Sequence, residues 1–216
     1  MSPKEIAKAA KAGGFPAIAL TDRGNMFGAL EFSQACISIG VQPIVGCELP
    51  VSIQHAGGVH LDNIVLLAKS ETGYKELCRT VSSLHLDYAS QALPLDFLEG
   101  SGEIICLWGG GETAFPNMRR KQDLDEYALR TAKSLKEKFR GNFYVELQRC
   151  NERFEGASLR PLVEAAYELE VPIVAANDVY FEATDDALGH HILRCVGSGR
   201  YLADTSFEKR SAQHFL

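Results

Sequence analysis

The chain has 216 residues, of which 46% are hydrophobic and 23% charged, and its net charge is −6. That length suits one large α/β domain or two small ones and can bury a sizeable core, so the composition reads as an ordinary globular chain. The acidic balance, with a pI near 5.5, excludes a principal nucleic-acid-binding surface, because neutralising phosphates needs clustered Lys and Arg; a protein partner is expected, and no direct DNA binding.

Ser2, Pro3 and Glu5 form a capping-box start, and Gly13-Gly14 a stop, so the chain opens on a helix. Strand-like apolar runs then alternate with helical periodicity. "PAIALTD" (16–22) precedes a helix at 27–40; "PIVGCEL" (43–49) and "NIVLLAK" (63–69) precede a helix at 71–84. "EIICLWG" (103–109) leads to a long helix at 123–139, which carries Leu124, Tyr127, Ala128, Leu135 and Phe139 on one face. "FYVELQR" (143–149), a helix near 157–169, "PIVAANDVY" (172–180) and a helix near 183–196 complete the series. Segments 52–62 and 110–122 are expected to be exposed loops. Near-continuous apolar strands joined by helices predict one domain over 1–216, with a parallel sheet covered by helices; periodicity leaves open sheet and barrel undecided.

The six cysteines lack CxxC spacing, and several sit in apolar runs, which suits buried thiols in a reducing, cytoplasmic setting better than disulfides or a zinc ribbon. No stretch approaches a membrane span.

Ligands of such sheets gather at the carboxyl ends of the strands. Here those ends carry Asp22-Arg23, Glu48, Glu146 with Gln148, and Asn177-Asp178. Carboxylates suit hard divalent cations, but they also serve as loop caps and ion-pair partners of Arg23 or Arg149. A zinc-type hydrolytic site would add imidazoles, and none of the six histidines is expected at a strand end. His55 and His60 fall in the 52–62 loop, His85 after a helix, His190 and His191 in the last helix and His214 in the tail; all are expected to be structural or solvent-facing. Adjacent helical residues point about 100° apart, so His190 and His191 do not share a metal easily. No nucleophile elbow or phosphate loop is present, and "WGGGET" (108–113) is expected to be a plain turn.

The runs at 16–49, 63–83, "NFYVELQR" and "VPIVAANDVYF" resemble, in order and across essentially the whole chain, the motifs of the PHP (polymerase and histidinol phosphatase) domain at the amino end of bacterial DNA polymerase III alpha subunits. The resemblance implies a PHP-type distorted (β/α)7 barrel, here lacking the first strand with its H-x-H motif. The gap so opened is expected to be solvated, filled by a neighbour or closed by another element. Active family members hold a cluster of metal ions at the strand ends and hydrolyse phosphoesters. Matched residue by residue, the T-D-H histidine is Arg23, the glutamate of G-C-E is Glu48, the histidine opening the next strand is Asn63, a cysteine position falls loosely near Gly110, and N-D-V-H keeps Asp178 but has Tyr180. Only the vestigial ligand positions Glu48 and Asp178 remain, so no catalytic residue and no metal cofactor is expected. The Arg23 guanidinium is expected to replace metal charge by pairing with Glu48 or Asp178.

The family reading makes the chain a structural and docking domain of a replicative DNA-directed DNA polymerase. Its expected partners are the rest of the alpha subunit, the proofreading exonuclease subunit and the replisome; nucleotidyl transfer resides elsewhere in the parent. Two alternatives stand beside it. One is an active metal-dependent phosphoesterase or proofreading 3'-5' exonuclease with a zinc or manganese cluster, in which Asp22, Glu146 or Cys150 fill vacancies. The other is an unrelated barrel enzyme using Glu48 and Glu146 as acid and base.

Overall fold

The computed structural model describes residues 1–216 except 56–57, 90, 111–114, 116–120, 150–154 and 205–212; the side chains of 121 and 155–157 are likewise outside the description. Its elements in chain order are α1 (Pro3–Ala12), β1 (Ala17–Leu20), α2 (Ala29–Ser38), β2 (Gln42–His55), β3 (Gly58–Ala68), α3 (Glu71–Leu86), β4 (Leu93–Pro94), β5 (Ile104–Trp108), α4 (Lys121–Lys138), β6 (Phe143–Gln148), α5 (Glu155–Glu168), β7 (Ile173–Ala176) and α6 (Ala187–Ser198). Short 3-10 turns at Leu95–Phe97 and Thr184–Asp186 complete the course.

Local chemistry sets the first helix. Ser2 Oγ accepts from Glu5 N–H while Ser2 N–H donates to Glu5 Oε2 at 2.6 Å, and the helix ends at Gly13. α3 is started by Ser70, whose hydroxyl accepts from Gly73 N–H.

The sheet runs β1-β2-β3-β5-β6-β7, with β4 paired to β2. All six expected strands recur, β2 and β3 lengthened, and β1, β6 and β7 lie parallel to their neighbours. Two expectations are corrected. The presumed loop 52–62 is the distal half of a long hairpin, with His55 opposite Gly58 and Ile53 opposite His60; Val51, Ile53 and Asp62 are buried in it. A pair joined by two residues must be antiparallel, so β3 opposes both β2 and β5, and the sheet is mixed instead of wholly parallel. Of the other presumed loop, Phe115 is buried against Trp108 and Tyr127, α4 begins already at Lys121, and 111–114 and 116–120 lie outside the described residues.

The main core lies between the curled sheet and α3, α4 and α5, around Leu49, Ile64, Leu66, Leu77, Trp108, Tyr127 and Phe139. As expected, Tyr127, Ala128 and Leu135 of α4 and Phe139 just after it face inward. One buried polar knot crosses it: Asp62 accepts from Trp108 Nε1 at 3.2 Å and from the Tyr127 hydroxyl at 2.8 Å, which satisfies a carboxylate that is 2% exposed. A smaller cluster joins Ala7 and Ala10 of α1 to Phe32 and Cys36 of α2.

Among the described residues β1 and β7 stand at opposite ends of the sheet order and do not pair. The sheet is thus a curled half-barrel, a distorted (β/α) barrel short of a strand. The opening is a cavity of about 500 Å³ flanked by Met1 and Ile6 on one side and Leu216 on another. The gap is therefore bordered by helix α1 and by the C-terminal residues.

Candidate functional site

The cavity sits at the carboxyl ends of the strands. Its wall combines Asp22 and Arg23 beyond β1, Glu48 of β2, Glu146 and Gln148 of β6, and Asn177, Asp178 and Tyr180 beyond β7. The strand-end residues named from sequence are thus brought together by the fold. A small adjoining pocket of about 20 Å³, close to the size of one water, lies among Glu48, Asn63, Gly110, Glu146, Gln148 and Asp178.

Arg23 is placed by backbone register. The β1–β2 pairing runs from Ala17 opposite Gln42 to Leu20 opposite Val45 and resumes with Arg23 opposite Glu48. Glu48 N–H donates to the Asp22 carbonyl at 3.1 Å and Gly24 N–H donates to the Glu48 carbonyl at 2.8 Å. Gly24 has φ +62, a left-handed conformation that suits glycine. Asn25 then folds the turn, donating to the Arg23 carbonyl at 3.1 Å and accepting from Phe27 N–H at 3.2 Å. His85, in the last turn of α3 and not beyond it, pins the turn through Nε2 to the Gly24 carbonyl at 2.6 Å. So anchored, the guanidinium reaches Glu48: Nε to Oε2 is 3.0 Å, with the Glu48 side chain only 13% exposed.

Glu146 also meets a donor from the chain itself. Gln148 Nε2 donates to Glu146 Oε1 at 2.8 Å. Glu146 is buried, and desolvation raises its proton affinity above the ordinary glutamate range; the Gln148 hydrogen bond opposes this and the nearby Asp178 charge adds to it. Burial likewise raises Asp22. Gly110 meets the same pair: a Cβ there would fall 2.5 Å from Gln148 Nε2 and 2.8 Å from Glu146 Cδ, so a side chain at this position would displace them. Beside Asp22 and Glu48 the Cys47 thiol is pushed up to about 12, chiefly by burial, and donates to the Asp22 carbonyl.

Asp178 has an unexpected neighbour. His214, placed in the tail and expected to be structural or solvent-facing, is buried and donates from Nδ1 to the Asp178 carbonyl at 2.6 Å, 3.7 Å from Oδ2. The donor role follows because a carbonyl only accepts. His190, expected to be structural, stacks on Tyr180 at 5.0 Å. Sequence reading missed His214 because 36 residues separate it from Asp178, with no periodic pattern between. His55 and His60 are strand residues, both ring-packed on Tyr127. His191 is buried 3.7 Å from Cys195. Asn63 lines both the small adjoining pocket and a groove with Arg23, Glu48 and His85. Cys150 and residues 111–113 lie outside the described residues.

The donor set fits a multinuclear zinc centre poorly. Among the described residues the cavity wall offers oxygen donors but neither imidazole nor thiol, and Glu48 is engaged by a permanent cation. Among the described residues no group of three or more His, Cys, Asp or Glu side chains has metal-holding geometry.

A family model described as the PHP domain matches residues 1–150. The DNA polymerase III alpha subunit of Caulobacter vibrioides is 33% identical over 221 residues, covering 98% of this chain and 19% of its own length. That of Treponema pallidum is 30% identical over 232 residues, covering 99% and 19%. The chain therefore spans about a fifth of the length of these relatives. Among solved structures, an amidohydrolase from Chromobacterium violaceum with bound sulfate and no metal superposes with a TM-score of 0.52 at 15% identity over 82% of both chains. A Bifidobacterium adolescentis protein named as a metal-dependent phosphoesterase gives 0.53 at 12% identity over 82% of both. At such identities the structures establish the fold alone. With the motifs in register along a strand-short barrel, and a family match over residues 1–150, the chain belongs to the PHP domain family.

Proposed function

We propose that this chain serves as the PHP domain of a DNA polymerase III alpha subunit, and that its strand-end cavity is held by the protein's own side chains in place of metal ions. The role is structural: the domain packs within the polymerase and offers a docking surface, with the proofreading exonuclease subunit as the partner. The observation that carries this reading is the Arg23–Glu48 pair at 3.0 Å. A guanidinium cannot lose its proton in a protein, so the pair sets a permanent cation beside Glu48 that opposes the approach of a divalent ion. Exposed apolar side chains on α6, Leu188, Leu193 and Val196 among them, support a role in assembly.

Four carboxylates around one cavity favour the rival reading, a metal-dependent phosphoesterase. Metal analysis after incubation with Mn and Zn, together with a phosphodiesterase assay, separates the two. The structural role predicts no stoichiometric metal and no metal-dependent turnover; bound metal with turnover would establish the rival.

A further inference from the structure

The last residues of the sequence are built into the open side of the sheet. Gln213–Leu216 run parallel to the stretch that leaves β7, with Phe215 in bridge register with Phe181. Tyr180 N–H donates to the His214 carbonyl at 3.0 Å, and Leu216 N–H donates to the Phe181 carbonyl at 3.1 Å. Asn177 clamps the pairing, its side-chain amide donating to the carbonyls of Gln213 at 3.1 Å and Phe215 at 2.7 Å. The His214 ring, 1% exposed, is inserted behind this ladder and bonded to the Asp178 carbonyl at 2.6 Å. Tyr180 packs beside it, with ring centroids 5.6 Å apart. Leu216 reaches the cavity wall that also carries Asp22, Arg23 and Asp178.

Gln213–Leu216 belong to no helix or named strand and are held by these bonds. Here the tie is specific: backbone ladder bonds, a two-carbonyl clamp from one asparagine and a buried histidine all converge on the five residues Asn177–Phe181, which carry the Asp178 and Tyr180 positions. We propose that Gln213–Leu216 is a strap that couples the C-terminal residues to the carboxylate cavity. Docked, it fixes the Asp178 stretch and lays Leu216 against the cavity; released, it opens that side and frees the stretch. The two segments form one cooperative unit, opening together as locally unfolding units do. The strap is independent of whether the cavity takes a metal, so its failure and that of the structural role are read separately.

The test is amide hydrogen exchange on the 216-residue chain, resolved at 177–181 and 213–216, in the parent and in Asn177→Ala. Loss of both clamp bonds is expected to speed exchange of Tyr180, Phe181 and Leu216 together by about tenfold, while Phe32 and Cys106, bonded elsewhere to Gly28 and Asn142, are unchanged. Carbodiimide labelling of Asp178 is expected to rise in parallel. Exchange of 213–216 at the rate of an unstructured peptide in the parent would overturn the proposal, as would acceleration of the tail with 177–181 unaffected. Should Asn177→Ala lose protection throughout, Leu216→Pro decides: it removes one strap N–H without touching the core, and joint acceleration supports the coupling while an unchanged 177–181 refutes it.

Discussion

Arg23 is the residue on which the cavity's chemistry turns. Its partner Glu48 is largely buried, whereas Arg23 is 40% exposed, so the pair is partly screened and its contribution is modest. Arg23→Gln is expected to cost about 1 kcal/mol in urea unfolding, chiefly because it leaves Glu48 with weaker compensation. Glu146 acts through protons. Burial raises its folded value, so the stability it contributes is complete below the ordinary glutamate range and is lost as pH rises through the raised folded value. The parent is therefore expected to lose stability between mildly acidic and neutral pH, with Asp22 adding in the same direction. Glu146→Gln should flatten that decline and raise the neutral-pH midpoint; a profile identical to the parent's would show that Glu146 does not titrate in the folded chain. At this scale the sequence was informative. Asp22, Arg23, Glu48, Glu146, Gln148 and Asp178 were named as strand-end residues and do line one cavity, because a strand's last residue is fixed by local pattern. His214 was not legible, since its position depends on a long-range pairing.

At the scale of elements, the hairpin shows how a legible signal is misread. In "SIQHAGGVHLD" the Ala-Gly-Gly suggests a loop, yet Ile53 points in while Gln54 points out, a period of two that continues β2 to the turn. Helices were read within a few residues because caps and apolar faces are local. α6 is the element least packed for its character. Leu188, Leu193 and Val196 are 56%, 70% and 74% exposed, on a helix that buries His191 and Cys195. In the isolated chain this face is expected to promote self-association. The pair Leu193→Glu and Val196→Glu should lower the apparent mass in concentration-dependent sedimentation without changing the thermal midpoint by more than a degree or two, since exposed substitutions typically cost little. A large drop in the midpoint would show that the face is part of the fold.

For the whole molecule, the alternation of strands and helices conveyed an α/β barrel-like layering but not the strand directions. The reversal of β3 follows from a tight connection, and the open β1–β7 edge follows from which strands are present, neither of which periodicity encodes. At its mouth the assembled barrel presents Glu48 met by Arg23 and Glu146 met by Gln148, with His214 beside Asp178. The most direct measurement is the metal content of the purified chain, and of Arg23→His, by mass spectrometry after equilibration with excess Mn or Zn and desalting. Internal replacement of the metal predicts well under one ion per chain in both proteins. One or more equivalents of Mn or Zn retained by the parent chain would contradict it.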